Sequence, residues 1–305
     1  MLDRRRLARP LSCSLLLFLS ACAAHAQDSA LPVYSRVHGS DAPYVVQRGD
    51  NLQDIAQRLG LRVESAIAMA GLADPHKLAI GQKLPVYSRH IVPGELADGL
   101  VINVGEPGLY WMKGGELVAR YPVGVGRKAW RTPPGDYHIR SRQKDPVWYV
   151  PKSIQKEMRE KGEEVKTSVE AGPDNPLGKY FLQLDVPGYG IHGTNAPWSV
   201  GRYTTHGCMR LRPEHIEALY QKVPDGAAVR IIDQPLKVAQ TAEGRVFLEV
   251  CEGTIENPPP PLARLMELLA ERSLAETVDQ AKVASVLAAG WCVATDVTRS
   301  ELAGR

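Results

Sequence analysis

The densest group of reactive side chains is Ile191-His192-Gly193-Thr194-Asn195, followed closely by Gly201-Arg202-Tyr203-Thr204-Thr205-His206-Gly207-Cys208-Met209-Arg210-Leu211-Arg212. A nucleophilic cysteine needs an imidazole to take its proton, backbone amides to hold an oxyanion, and small neighbours that let a carbonyl approach. This stretch contains residues for all three. It could also supply zinc ligands through His192, His206 and Cys208, or form a turn-rich β corner with a buried cysteine and satisfied histidines. Cys208 beside Gly207 and near the basic Arg210, with two imidazoles available, favours the nucleophile. The zinc reading suffers from the tight His206-Gly207-Cys208 spacing and the lack of a second CxxC, HxH or HExxH. The expectation is a Cys208 thiolate, ionised at neutral pH by one of the two imidazoles and alkylated well below the free-thiol pKa of about 8.5.

Short strands must hold such a turn. Residues 100–104 and 117–123 read as strands on either side of a glycine-containing turn, with more at 135–139 and 180–184. Residues 151–179 are a polar insertion containing Lys156-Glu157-Met158-Arg159-Glu160, expected as a charged surface element over a cleft, most simply a solvated helix. Gly124-Val125-Gly126-Arg127-Lys128-Ala129 matches a dinucleotide-binding GxGxxA, but the prolines of Trp130-Arg131-Thr132-Pro133-Pro134 forbid the helix that must follow. Upstream, residues 43–87 form a small βααβ unit. Tyr44-Val45-Val46 is its first strand, and Asp50 and Gln53 have capping-box spacing ahead of a helix presenting Leu52, Ile55, Ala56 and Leu59 on one face. Val63, Ala66, Ile67 and Ala70 repeat that spacing before a turn and closing strand at 81–86. Asn257-Pro258-Pro259-Pro260-Pro261 is a stiff boundary, after which Leu262, Leu265, Leu268 and Leu269 give the 234–305 extension a helical character.

At 305 residues the chain exceeds one ordinary domain. Its 37 bases and 34 acids include Arg4, Arg5, Arg6, Arg9 and Asp3 in the first 26 residues, so the remainder balances, and nothing electrostatic points to nucleic acid. That opening stretch has a basic start, an apolar run from Leu11 to Ala24 and small residues at Ala24-His25-Ala26, the parts of an export signal. Leu19-Ser20-Ala21-Cys22 resembles a bacterial lipobox, so residues 1–26 or 1–21 are removed, the latter leaving a lipid anchor on Cys22. Of the five cysteines, Cys13 and Cys22 belong to that signal. An oxidising compartment then favours a Cys251–Cys292 disulfide with Cys208 free; two unrelated buried cysteines are the alternative.

Tyr44-Val45-Val46-Gln47-Arg48-Gly49-Asp50-Asn51-Leu52 with Ile55-Ala56, then Leu78-Ala79-Ile80-Gly81-Gln82-Lys83-Leu84, resembles a LysM module, a glycan-binding repeat of cell-wall proteins. Asn51 stands where Thr is usual, and Ala70-Gly71 where Asn is usual. His192-Gly193-Thr194-Asn195 and Thr205-His206-Gly207-Cys208-Met209-Arg210-Leu211 resemble the signature of YkuD-type L,D-transpeptidases over residues 97–233, with Thr132-Pro133-Pro134-Gly135-Asp136-Tyr137-His138-Ile139 as the upstream strand motif. The resemblance implies a mainly β, sandwich-like catalytic domain in a periplasmic enzyme without cofactor or metal. It implies Cys208 as nucleophile and His192 as base, oriented by the Gly193 carbonyl. The amides near His206, Gly207 and Cys208 would hold the oxyanion, with His206 accessory. Arg210 would bind a substrate carboxylate, with Thr205, Asn195 and Tyr203 as further substrate-binding residues. The substrate would be a peptidoglycan tetrapeptide stem, whose third residue is acylated onto Cys208 as D-alanine leaves. An amine of another stem or of an outer-membrane lipoprotein would collect the acyl group; water would make the enzyme an L,D-carboxypeptidase. A different class, a noncatalytic wall-binding protein, requires an inert Cys208.

Overall fold

The computed structural model describes residues 31–253 and 257–301; the expected export segment, with Cys13 and Cys22, lies outside them. Among the described residues no helix is long and apolar enough to cross a membrane.

The central element is an eight-stranded sheet, in spatial order Met209–Arg210, Gly190–His192, Tyr180–Leu184, Gly135–Lys144, Ala228–Ile232, Gly99–Asn103, Gly108–Lys113 and Glu116–Pro122. Tyr180, Leu182 and Leu184 alternate inward, as a strand with one buried face requires. Gly135–Lys144 serves both halves, pairing through 135–138 with Ala228–Ile232 and through 139–144 with Tyr180–Leu184. The register shifts between Ile139 and Ser141, an irregularity of the kind that bends a sheet. The expected sandwich-like domain is therefore one sheet curled on itself: its far edges meet where Gly124 and Arg210 exchange two backbone hydrogen bonds of 2.8 Å. Leu100, Ile102, Leu109, Ile139, Leu182, Ile191 and Met209 fill the interior. The Pro213–Lys222 helix begins on a proline whose fixed φ suits that position and contributes buried Ile216 and Leu219.

The N-terminal unit has the expected strand, two helices and strand, with Tyr44–Val45 antiparallel to Lys83–Leu84. Its first helix is capped differently from the expectation. Asn51, not Asp50, is the N-cap, accepting from the Asp54 amide at 2.9 Å. Asp50 is drawn away by the Gln47 amide and the Tyr44 hydroxyl, both at 2.8 Å, and by Arg58 at 3.0 Å.

The extension has two helices, Leu262–Glu271 and Gln280–Ala289. It also contains a sheet that sequence reasoning missed. Leu236–Gln240 and Val246–Val250 form a hairpin flanked by Thr295–Asp296 and, from the start of the chain, by Val33–Tyr34. Both hairpin strands are buried almost throughout, so they lack the apolar/polar alternation that marks a half-buried strand. Cys251 and Cys292 are disulfide-bonded, and the next residue, Val293, packs into the core of the N-terminal unit.

Candidate active site

Cys208 sits in a turn between the strands Tyr203–Thr205 and Met209–Arg210. Tyr203–Thr205 runs parallel to Val125–Gly126, and Met209–Arg210 runs parallel to Gly190–His192, so both flanks are anchored and His192 is set opposite Arg210. Two threonines shape the turn. Thr205 Oγ1 donates to the Cys208 carbonyl at 2.7 Å and accepts from the Gly207 amide at 3.1 Å. Thr132 Oγ1 donates to the Gly207 carbonyl at 2.7 Å and accepts from the Gly126 amide at 3.0 Å. Gly207 has φ +106°, and a Cβ there would lie 2.7 Å from the Tyr189 ring, so this position requires glycine.

A cleft of about 760 Å³ opens above the turn. His192, His206, Cys208 and Arg210 line it, together with Trp130, Trp148, Tyr149, Phe181 and Tyr189. Cys208 is half-buried, its thiol donating to the Gly188 carbonyl at 3.4 Å. His192 is buried, with Nδ1 2.6 Å from the Gly193 carbonyl. A carbonyl only accepts, so Nδ1 carries the proton and Nε2 keeps a lone pair. Arg210 donates to Ser199 Oγ at 2.9 Å, while its buried Nε meets no acceptor among the described residues.

The electrostatics differ from the thiolate expectation. Burial pushes the Cys208 thiol up, against a smaller downward pull from the Gly190 amide and Arg210. Burial, reinforced by Arg210, pushes His192 down to about 3. The resting pair is thus neutral thiol and neutral imidazole, because desolvation disfavours both charges and no anion supports an imidazolium.

Several expected site residues take other roles. The Gly207 amide is occupied by Thr205, which removes it from the expected oxyanion donors. Thr205 is buried and its hydroxyl proton is spent within the turn, so it organises the nucleophile loop while forming part of the cleft lining. The Tyr203 hydroxyl donates to the Val104 carbonyl at 2.8 Å, and Tyr203 packs against the core. Asn195 is exposed, donates to the Asp174 carbonyl at 3.2 Å and lines a separate hollow of about 400 Å³. His206 turns to Glu157, with Nε2 2.7 Å from the carboxylate, and its ring lies 5.3 Å from that of Trp130. It therefore does not converge with His192 and Cys208 as a ligand set; neither group of close potential ligands among the described residues includes them.

The polar insertion forms the helix Lys152–Glu160, tied to the nucleophile turn through Glu157 and presenting Ser153 and Ile154 to the cleft. The sequence reading missed the roles of Thr132, Ser199 and Glu157. Thr132 was within reach: it opens the Thr-Pro-Pro-Gly stretch already singled out.

A family model for the L,D-transpeptidase catalytic domain matches residues 97–231, and one for the LysM domain matches residues 44–86. The chain is 33% identical over 230 residues, 74% of each chain, to the probable L,D-transpeptidase ErfK/SrfK of Salmonella typhimurium. It is 33% identical over 208 residues to the Escherichia coli K12 protein of the same description, covering 68% of this chain and 67% of that one. Similarity to the probable L,D-transpeptidase YbiS of E. coli K12 is 37% over 172 residues, 56% of each chain. The chain belongs to the L,D-transpeptidase family. It is a transpeptidase enzyme with a LysM domain, acting on peptidoglycan.

Proposed function

We propose that Cys208 is the nucleophile and that the enzyme transfers the third residue of a tetrapeptide stem to an amine by way of a thioester. The observation that carries this is the single cleft holding Cys208, Arg210 and an imidazole whose Nδ1 is fixed on Gly193 O, leaving Nε2 as acceptor. Cys208 Sγ attacks the stem carbonyl as His192 Nε2 takes the thiol proton, and the amides of His206 and Cys208 receive the oxyanion. His192 then returns the proton to the departing D-alanine nitrogen, and the C–N bond breaks to leave the thioester. An acceptor amine attacks this acyl group, His192 takes its proton, and the thiol is regenerated. Arg210, the only side chain of fixed positive charge in the cleft lining, pairs with a substrate carboxylate through its planar fork.

The acceptor is a side-chain amine of a neighbouring stem or a lysine of an outer-membrane lipoprotein, and the working compartment is the periplasm, reached through the export signal at 1–26. Residues 43–87 act as the wall-binding module, 97–233 as the catalytic domain and 234–305 as an extension joined to both. Muropeptide analysis after incubation with wild type and Cys208→Ala tests the reaction. A new cross-link or lipoprotein adduct with wild type, reduced at least roughly 10⁴-fold in the variant, is expected. Equal products from both would sink the nucleophile assignment. A carbapenem should leave a mass adduct on wild type that Cys208→Ala lacks.

A further inference from the structure

Between the LysM module and the cleft stands an aromatic side chain that neither site uses. Trp198 is 56% exposed, on the short turn Pro197–Ser199. That turn is held from both sides. Gln57 of the first LysM helix donates to the Pro197 carbonyl at 3.4 Å, and Arg212 reaches the same Gln57. On the other side the fully buried Ser199 donates to the Ala196 carbonyl at 2.6 Å and accepts from Arg210, a cleft residue, at 2.9 Å. Arg202 and Glu64 form a second strut across the seam at 3.5 Å. A bulky indole left in water on a rigid turn is unfavourable for folding alone, since burying it would be worth more.

We propose that Trp198 is a saccharide-stacking site that carries the glycan strand from the LysM module to the catalytic cleft. The occupant follows from the surroundings: both flanking domains act on one polymer, and the turn that carries Trp198 is bonded to Gln57 of the LysM helix on one side and, through Ser199, to Arg210 of the cleft on the other. The C–H face of a pyranose ring packs on an indole as other apolar faces do, while the half-exposed Arg202, four residues further along the chain, suits the polar rim of a sugar. This deepens the peptidoglycan assignment and rests on it.

The test uses full-length Cys208→Ala protein, so that no turnover intervenes, and glycan strands stripped of peptide. Titration should shift one indole N–H resonance, assigned to Trp198 by its disappearance in Trp198→Phe. Replacement by Ala should weaken binding about tenfold, with Phe retaining most of the affinity. An unmoved Trp198 resonance, a shift produced only by free tetrapeptide, or equal affinity for the Trp, Phe and Ala proteins would overturn the proposal. Absence of turnover by wild type on tetrapeptide would instead remove the enzyme mechanism and leave this binding result standing.

Discussion

The cleft and the junction beneath the LysM module are both desolvated, yet they treat charge in opposite ways. At the junction Lys237, Glu106, Glu249, Arg120 and His90 are buried together. Lys237 lies 3.1 Å from Glu249, contacts Glu106 and donates to the Ile91 carbonyl at 2.8 Å; Arg120 donates to the Gly60 carbonyl at 2.8 Å. Burial lowers the Lys237 pKa, but Glu106 and Glu249 outweigh it and hold the ammonium charged; burial raises Glu249, and Lys237 and His90 outweigh that in turn. In the cleft His192 has no counter-charge, and Arg210 offsets only part of the burial of Cys208, so both rest neutral. Burial with partners fixes ions and joins domains, whereas burial without them keeps a proton ready to move.

The largest test of this contrast removes the cleft's base. His192→Gln keeps a polar group but cannot take the thiol proton, so kcat/KM should fall roughly 10²–10⁴-fold. In wild type, a base pushed down to about 3 stays unprotonated until acid approaches that value, so the acid limb of kcat/KM belongs near 3 and not near 6.5. The folding equilibrium has the same sign. Between those values the unfolded chain binds a proton that the folded chain refuses, so stability is lost as pH falls through that window. A limb near 6.5 would show an exposed imidazole.

At the junction the corresponding break is Lys237→Met, which leaves two buried carboxylates facing one another and should cost about 3–5 kcal/mol in a denaturation experiment. Adding Glu249→Gln should recover part of that loss, because the remaining Glu106 still has Arg120 at 3.4 Å. If the double variant is no more stable than the single, the ions are not acting as a coupled set.

The two regions also differ in how legible they were. Cys208, His192, Arg210 and Gly193 were picked out because reactive residue types crowd into one short stretch, and the curled sheet brings those four to one place. Their charge states were not legible, since desolvation depends on what packs above the turn. The partners of Tyr203, Thr205 and Asn195 were not legible for a related reason: side chains with hydrogen-bonding capacity near a nucleophile can be spent on backbone groups, and the sequence does not say which. The junction was invisible altogether. Its ions come from positions as far apart as Glu106, Arg120 and Lys237, and a lysine inside an apolar strand gives no local sign of the carboxylates that will meet it.

Thiol titration sharpens the cleft side further. Because burial raises the Cys208 pKa, alkylation by iodoacetamide should be slow at neutral pH and climb only as pH passes beyond the ordinary thiol range. An inflection well below 8 would restore the thiolate–imidazolium pair expected from sequence.

The smallest effect concerns the helix over the cleft. Glu157 gathers Arg127 at 2.7 Å, Lys161 at 2.7 Å and His206 at 2.7 Å, and these partners hold its carboxyl well below the usual carboxylate range. A depressed carboxylate contributes above its unfolded pKa and is lost as pH falls, so the tether operates throughout the neutral range. Its partners are partly exposed, where solvent screens such pairs. Glu157→Gln retains a hydrogen bond to His206 and should lower kcat/KM no more than about fivefold, chiefly through KM as the Ser153–Ile154 wall of the cleft loosens. A drop comparable to that of His192→Gln would place Glu157 among the groups that move protons and would extend the uncompensated region of the cleft into the helix above it.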